Sequence, residues 1–177
     1  MNPMPAAEHL HVMANHAPLM GLAFAIVPLL FALMARQRAA LWVGLIMILI
    51  SGASLPVVMQ SGERAFERFV EGQVPGTLDA GGQVWMAEHE ERAERVALLL
   101  YTTTATALAG MVLLWKRPNL ERVIAAILLA LCAASVAALM WVAAAGGRIR
   151  HPEFRPPDAP AALENGTGAG WNRGVIA

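Results

Sequence analysis

The stretch LMGLAFAIVPLLFALMARQRAALWVGLIMILISGASLPVVMQ, residues 19–60, holds two long apolar runs separated only by Arg36, Gln37 and Arg38. A hydrocarbon core ~30 Å thick takes ~20 apolar helical residues to cross. Ala39 to Gln60 meets that length without an Asp, Glu, Lys or Arg. Leu19 to Ala35 meets it with help from Val12 to Pro18, among which only His16 titrates. Two further runs follow, Val96 to Trp115 and Val123 to Gly147, joined through Lys116, Arg117, Pro118, Asn119, Leu120, Glu121 and Arg122. The expected spans are therefore 17–35, 39–60, 96–115 and 123–147, with an intervening segment 61–95.

Composition agrees with the bilayer as solvent. Of 177 residues 57% are hydrophobic and 15% charged, a balance that soluble domains of this size rarely reach because their surface must be polar. Thirteen basic and thirteen acidic residues cancel, so no global field points to nucleic acid or to an acidic partner. The one cysteine, Cys132, lies in an apolar run and has no partner within the chain for a disulfide. The first residues carry no Lys or Arg and no small-residue cleavage site follows the first apolar run, so a cleaved signal peptide is not expected.

Both turns within the hairpins are short and basic, which keeps them cytoplasmic and sends both termini and the segment 61–95 outward. The expected architecture is all-α, an integral membrane four-helix bundle of two antiparallel hairpins. Small residues on the third span (Thr102, Ala105, Thr106, Ala109, Gly110) and the fourth (Ala126, Ala130, Ala133, Ala134, Ala137) are expected to let those two helices pack closely. They also offer faces for homo-oligomerisation. Outside the spans, Glu63 to Glu71 reads as a short amphipathic helix, Gly72 to Gly82 as a turn region, and helix resumes from Gln83 and enters the third span. Gly146 and Gly147 read as the end of the fourth helix, with the residues around Pro152 folded back over the bundle. The Pro-, Gly- and Ala-rich tail 155–177 reads as disordered.

Five histidines, His9, His11, His16, His89 and His151, all fall on the outer side. Three sit at helix ends: His16 opens the first span, His89 precedes the third by two turns, and His151 follows the fourth. In a bundle those ends can meet at one mouth, and imidazole binds Zn, Cu, Fe and haem iron. The metal or cofactor candidates are His16, His89 and His151, with His11 and Glu63 beside them. Pro18 would clash with the carbonyl of Ala14 in a continuous helix, so His11 to Ala17 are expected to be non-helical, the span starting near Pro18. His89 shares a face with Arg92, Ala93 and Val96 and so points along the buried stripe of its helix.

Blander explanations exist for each. Interfacial histidines also serve as amphipathic anchors, and Glu88 to Glu94 with Arg92 and Arg95 reads as a solvated face with i to i+4 pairs. Trp42, Trp115 and Trp141 lie near span ends, where interfacial aromatics belong, and methionines in apolar helices are packing. His89 does not open a zinc-protease motif, because Ala93 stands where the second histidine would. No acidic or basic residue lies inside a span, which argues against a charge relay or an ion pump.

The H-x4-H-x-P spacing of His11, His16 and Pro18, directly before a span, resembles a family of small four-helix bacterial inner-membrane proteins, a domain of unknown function. The likeness continues in Ser61-Gly62-Glu63 after the second span, His89-Glu90 before the third, and Gly146-Gly147-Arg148-Ile149-Arg150-His151-Pro152-Glu153 after the fourth. Related domains occur fused to Rieske-type iron–sulfur domains. The resemblance therefore implies a bacterial inner-membrane protein with periplasmic termini in a respiratory or redox setting, with redox membrane proteins as partners. It implies a possible haem; with the histidines at the outer mouth the expectation is a b-type haem or a transition metal (Zn, Cu or Fe) as cofactor, serving electron transfer. A cofactor-free accessory subunit of a larger membrane complex is the alternative, and nothing in the spans supplies the polar pocket an enzyme would need.

Overall fold

The structure, a computed structural model, describes residues 7–73 and 78–157. Five α-helices account for almost all of it: α1 (Ala7–Ala14), α2 (His16–Ala35), α3 (Arg38–Val70), α4 (Ala80–Lys116) and α5 (Glu121–Arg150). Single-turn 3-10 helices at Pro118–Leu120 and Pro152–Phe154 complete it. Four helical stretches are long and apolar enough to cross a membrane, α1 with α2 forming the first. The chain is an all-α four-helix bundle and a multi-pass membrane protein.

Around the bundle α2 packs on α3, α3 on α4, α4 on α5 and α5 back on α2. The turns at one end are tight. Arg36, in the left-handed region at φ 55°, ends α2, and the extended Gln37 begins α3. Arg38 pairs with Glu121 at 3.0 Å, tying the two hairpin turns together. The opposite end carries the termini and is termed the outer end.

The core is apolar with a small polar seam. Leu29, Leu41, Leu45, Ile48, Leu114 and Leu128 are fully buried. Thr103 and Ser135 share a hydrogen bond of 3.0 Å between α4 and α5, and the Ser51 hydroxyl donates to the Pro18 carbonyl at 2.8 Å. Without water in the hydrocarbon, such hydroxyls must find partners inside the bundle. Phe24, Val27, Phe31, Met34 and Leu98 point outward instead, as a lipid-facing surface requires.

Several expectations need correction. Residues His11–Ala14, His16 and Ala17 are helical, and only Asn15 interrupts them. Pro18 stands third in α2, where the N–H it lacks would have no partner in a helix beginning at His16, so proline places the break without unwinding the approach. The amphipathic stretch from Glu63 is not a separate helix. It continues α3, because nothing before Gly72 stops the helix; Gly72 at φ 72° then does so, its N–H bonding Phe69 and the N–H of Gln73 bonding Arg68. Helix α4 starts three residues earlier than Gln83, capped by Asp79, whose carboxylate accepts from the N–H of Gly82 at 2.9 Å. Gly146 and Gly147 do not end α5, which runs to Arg150 and stops before Pro152.

Helices α4 and α5 do pack together, but of the small residues expected at the contact only Gly110 is buried, a Cβ there lying 3.0 Å from Ile124. Thr102, Ala105, Ala109, Ala126, Ala130, Ala133, Ala134 and Ala137 are exposed, and Thr103 meets Ser135 across the two helices. Alanine is equally at home against lipid, whereas Thr103 and Ser135 gain a partner by facing each other. Of the tail expected to be disordered, Arg155 is engaged with Asp79 and with the carbonyls of Arg148 and Ile149. Residues 158–177 lie outside those described.

Candidate functional site

A cavity of about 260 Å³ opens at the outer end, between α1, α2, α3, α4 and α5. Its walls are mostly apolar, with Pro18, Leu55, Val96, Leu100, Leu139 and Val142 among them. The polar side chains that reach it are His11, Asn15, His16, Glu63, His89, Glu90 and Glu94.

His11 lies on α1 and reaches across to α3, where its Nδ1 meets the Val58 carbonyl at 3.1 Å. His89 lies on α4 and reaches across to α5, where its Nδ1 meets the Val142 carbonyl at 3.0 Å. A carbonyl only accepts, so in both rings Nδ1 carries the proton and donates. Nε2 then keeps its lone pair. Burial holds both histidines below the ordinary value of 6.5, and the carbonyl bonds only partly offset it; for His89 the charges of His11 and Arg92 add to the lowering. The two ring centroids are 6.4 Å apart with planes at 82°.

Around this pair the cavity is acidic. Burial, followed by the charges of Glu94, Glu63 and Glu67, pushes the Glu90 carboxyl up to about 7. Asn15 has its side-chain oxygen buried without a hydrogen-bond partner among the described residues. Neutral imidazole nitrogens, an orphaned amide oxygen and carboxyls at the rim are suited to holding a ligand with a cationic or metallic centre.

The expected trio of His16, His89 and His151 does not assemble. His16 lines the cavity but is exposed at its opening. His151 is absent from the lining: it is exposed, bonds Glu153 at 3.0 Å and stacks on Phe154 at 5.1 Å between centroids. The partner of His89 is His11, brought over by a helix where the sequence suggested a loop. Glu63 lines the cavity as an exposed rim residue. Among the described residues no three His, Cys, Asp or Glu stand together as a group that could hold a metal ion.

Arg92 is the residue that pattern reading undervalued. The pairs expected on a solvated face exist, Glu88 with Arg92 at 2.7 Å and Glu91 with Arg95. Arg92, however, is buried at 9% exposure, donates to the Trp141 carbonyl at 2.9 Å and lies 4.4 Å from the Trp141 ring and 5.6 Å from the Trp85 ring. Arg148 covers Trp85 as well, at 4.4 Å. This cation and indole stack fastens α4 to α5 one turn beyond His89. The signal available in the sequence was the shared face of His89, Arg92 and Val96.

Comparison of the chain with known protein families, with curated proteins and with solved structures finds no match.

Proposed function

We propose that the cavity holds a redox-active metal between His11 and His89, at the periplasmic face of a bacterial inner membrane, and that the protein passes electrons there to redox partners in the same bilayer. The histidine pair carries this reading. The two ring centres stand 6.4 Å apart, a separation at which both imidazoles would reach one metal by bonds of ~2.0–2.1 Å if their Nε2 atoms turn toward it. Both Nδ1 atoms are already committed to backbone carbonyls, the outer-shell bond that orients a ligating histidine and fixes its tautomer. Burial keeps both rings neutral, the state in which they bind a metal.

Two versions of the centre differ in what completes the coordination. A b-type haem needs only two axial histidines from the protein, which suits a site where no third ligand stands in place. A bare Cu or Fe ion would draw on Glu63, Glu90 or water, and a cavity of about 260 Å³ suits the smaller occupant. A bound iron or copper would supply a one-electron couple, and the apolar walls would lower the dielectric around it. The second reading is a cofactor-free accessory subunit of a larger membrane complex.

A visible spectrum and metal analysis of protein purified in mild detergent decide among these. The proposal expects a Soret band or one equivalent of metal per chain, lost in both His11→Ala and His89→Ala and retained in His151→Ala. A Soret band selects haem, and metal without one selects the bare ion. Colourless, metal-free protein that takes up neither haem nor metal on reconstitution would select the accessory subunit.

A further inference from the structure

The shift in numbering that carries His11 onto His89 also carries Pro18, Leu22, Ala25, Leu29 and Ala32 onto Val96, Leu100, Thr103, Ala107 and Gly110. Every one of these is buried. The shift that carries Val58 onto Val142 likewise carries Leu41, Gly44, Ile48 and Ser51 onto Ala125, Leu128, Cys132 and Ser135, again all buried. The difference between the two shifts is absorbed at the inner end, where the second hairpin has the longer turn. The packing order around the bundle, α2–α3–α4–α5, is unchanged when α2 is exchanged with α4 and α3 with α5. The correspondence points to two hairpins that repeat one another about an approximate two-fold axis parallel to the helices, with His11 and His89 equivalent across it.

The repeat includes what holds each histidine. One turn beyond Val58 is Gly62, and one turn beyond Val142 is Gly146. A Cβ at Gly62 would lie 2.9 Å from Cε1 and 3.1 Å from Nδ1 of His11; one at Gly146 would lie 3.2 Å from each of those atoms of His89. In an α-helix the carbonyl of residue i accepts the N–H of residue i+4, so an imidazole that takes its second lone pair must lie over residue i+4. Glycine leaves the ring its place there, whereas a Cβ would push the His11 ring aside at Gly62 and press more lightly on the His89 ring at Gly146.

Building on the reading of His11 and His89 as ligands, we propose that Gly62 and Gly146 are positioning residues: each, with the valine carbonyl one turn before it, forms a seat that sets the tautomer of one histidine and leaves its Nε2 free for a ligand centred on the two-fold axis. The seats are built twice, so damage in either half should reach the site, more strongly at Gly62, where an added Cβ comes closer to its histidine.

The test compares Gly62→Ala, Gly146→Ala and, as control, Gly147→Ala, where an added Cβ meets nothing within 4 Å. Alanine suits a helix better than glycine, so all three variants are expected to fold. Imidazole ¹⁵N spectra of metal-free protein in detergent should show Nδ1–H for His11 and His89 in the wild type and in the control. Gly62→Ala should move the His11 signals and Gly146→Ala those of His89. Retention of haem or added metal should fall about 10–100-fold in each seat variant, the range for outer-shell changes. Unchanged tautomers and retention in both would overturn the seats while leaving the metal reading intact. Altered tautomers in protein that takes up no metal would uphold the seats and overturn the metal reading instead.

Discussion

In the first hairpin the approach to the membrane is broken: α1 ends at Ala14, Asn15 intervenes, and α2 begins at His16. In the second the equivalent stretch is the uninterrupted outer part of α4. One residue accounts for the difference. Pro18 cannot donate to the Ala14 carbonyl, whereas Val96, at the same place in the second repeat, can bond its own helix. The rims differ too, with Asn15 and His16 in the first half where Ala93 and Glu94 stand in the second, and Arg92 where the first half has Ala14. Scaffold positions are thus kept across the two-fold axis, while the polar groups that give the cavity its chemistry are varied.

The largest difference to break is Arg92. Arg92→Ala should cost about 2–3 kcal/mol, the scale of lost charged hydrogen bonds in a buried setting, and loosen the outer ends of α4 and α5. Thermal unfolding in detergent measures it, and a loss no greater than that of a surface substitution would show the stack to be ornamental.

Next comes the contact between hairpins. Gly52 on α3 faces Thr104 on α4, and a Cβ there would collide with the threonine side chain. The equivalent of Gly52 in the second half is Val136. Gly52→Val should therefore destabilise by about 1–3 kcal/mol through overpacking, and Thr104→Ala in the same chain should restore part of it. A double-mutant cycle reads the coupling, and strict additivity would refute the contact.

Pro18→Val imports the second half's residue and should restore a hydrogen bond, worth about 1 kcal/mol. Amide exchange in α1, expected to be faster than in the outer turns of α4, should slow in this variant. Equal exchange in the two outer segments of the wild type would remove the asymmetry.

The smallest effect is that of pH. Above 6.5 His11 and His89 are neutral whether folded or not and contribute nothing. As pH falls through 6.5 the unfolded chain takes up protons that the folded chain resists, so stability falls with pH. Glu90 acts oppositely: raised from 4.5 to about 7, it holds a proton that the unfolded chain has lost, and stability falls as pH rises across that window. The variant carrying both His11→Gln and His89→Gln should lose the acid weakening and become more stable as pH falls from about 7 to 4.5. Melting temperatures across that range check the sign.

Much of the fold was legible because hydrophobic length and charge placement act locally. Uncharged runs bounded by Arg36, Arg38, Lys116 and Arg117 could only be spans joined by tight turns, whereas Pro18 suggested an unwound approach that is in fact helical but for Asn15. The exact ends were harder. Gly62, Gly146 and Gly147 read as punctuation, yet a helix held by packing tolerates them, and at two of them the missing side chain serves a histidine. Of the candidate site, the outer mouth, His89 and the buried stripe it shares with Arg92 could be read from spacing; the choice of His11 over His16 and His151 could not.

By itself, then, the sequence determined that the chain crosses a membrane four times as two hairpins, that the histidines gather at the end bearing the termini, and that no charge enters a span. Those properties follow from transfer free energies and helix rise, which add residue by residue. The tertiary structure alone decided which histidines meet, because that depends on how helices distant in sequence rotate about their axes. A rotation that buries Thr103 against Ser135 also turns His89 toward Val142, and the matching rotation in the other repeat sends His11 to Val58. Such angles are set by the fit of whole faces, a collective quantity that no single motif carries.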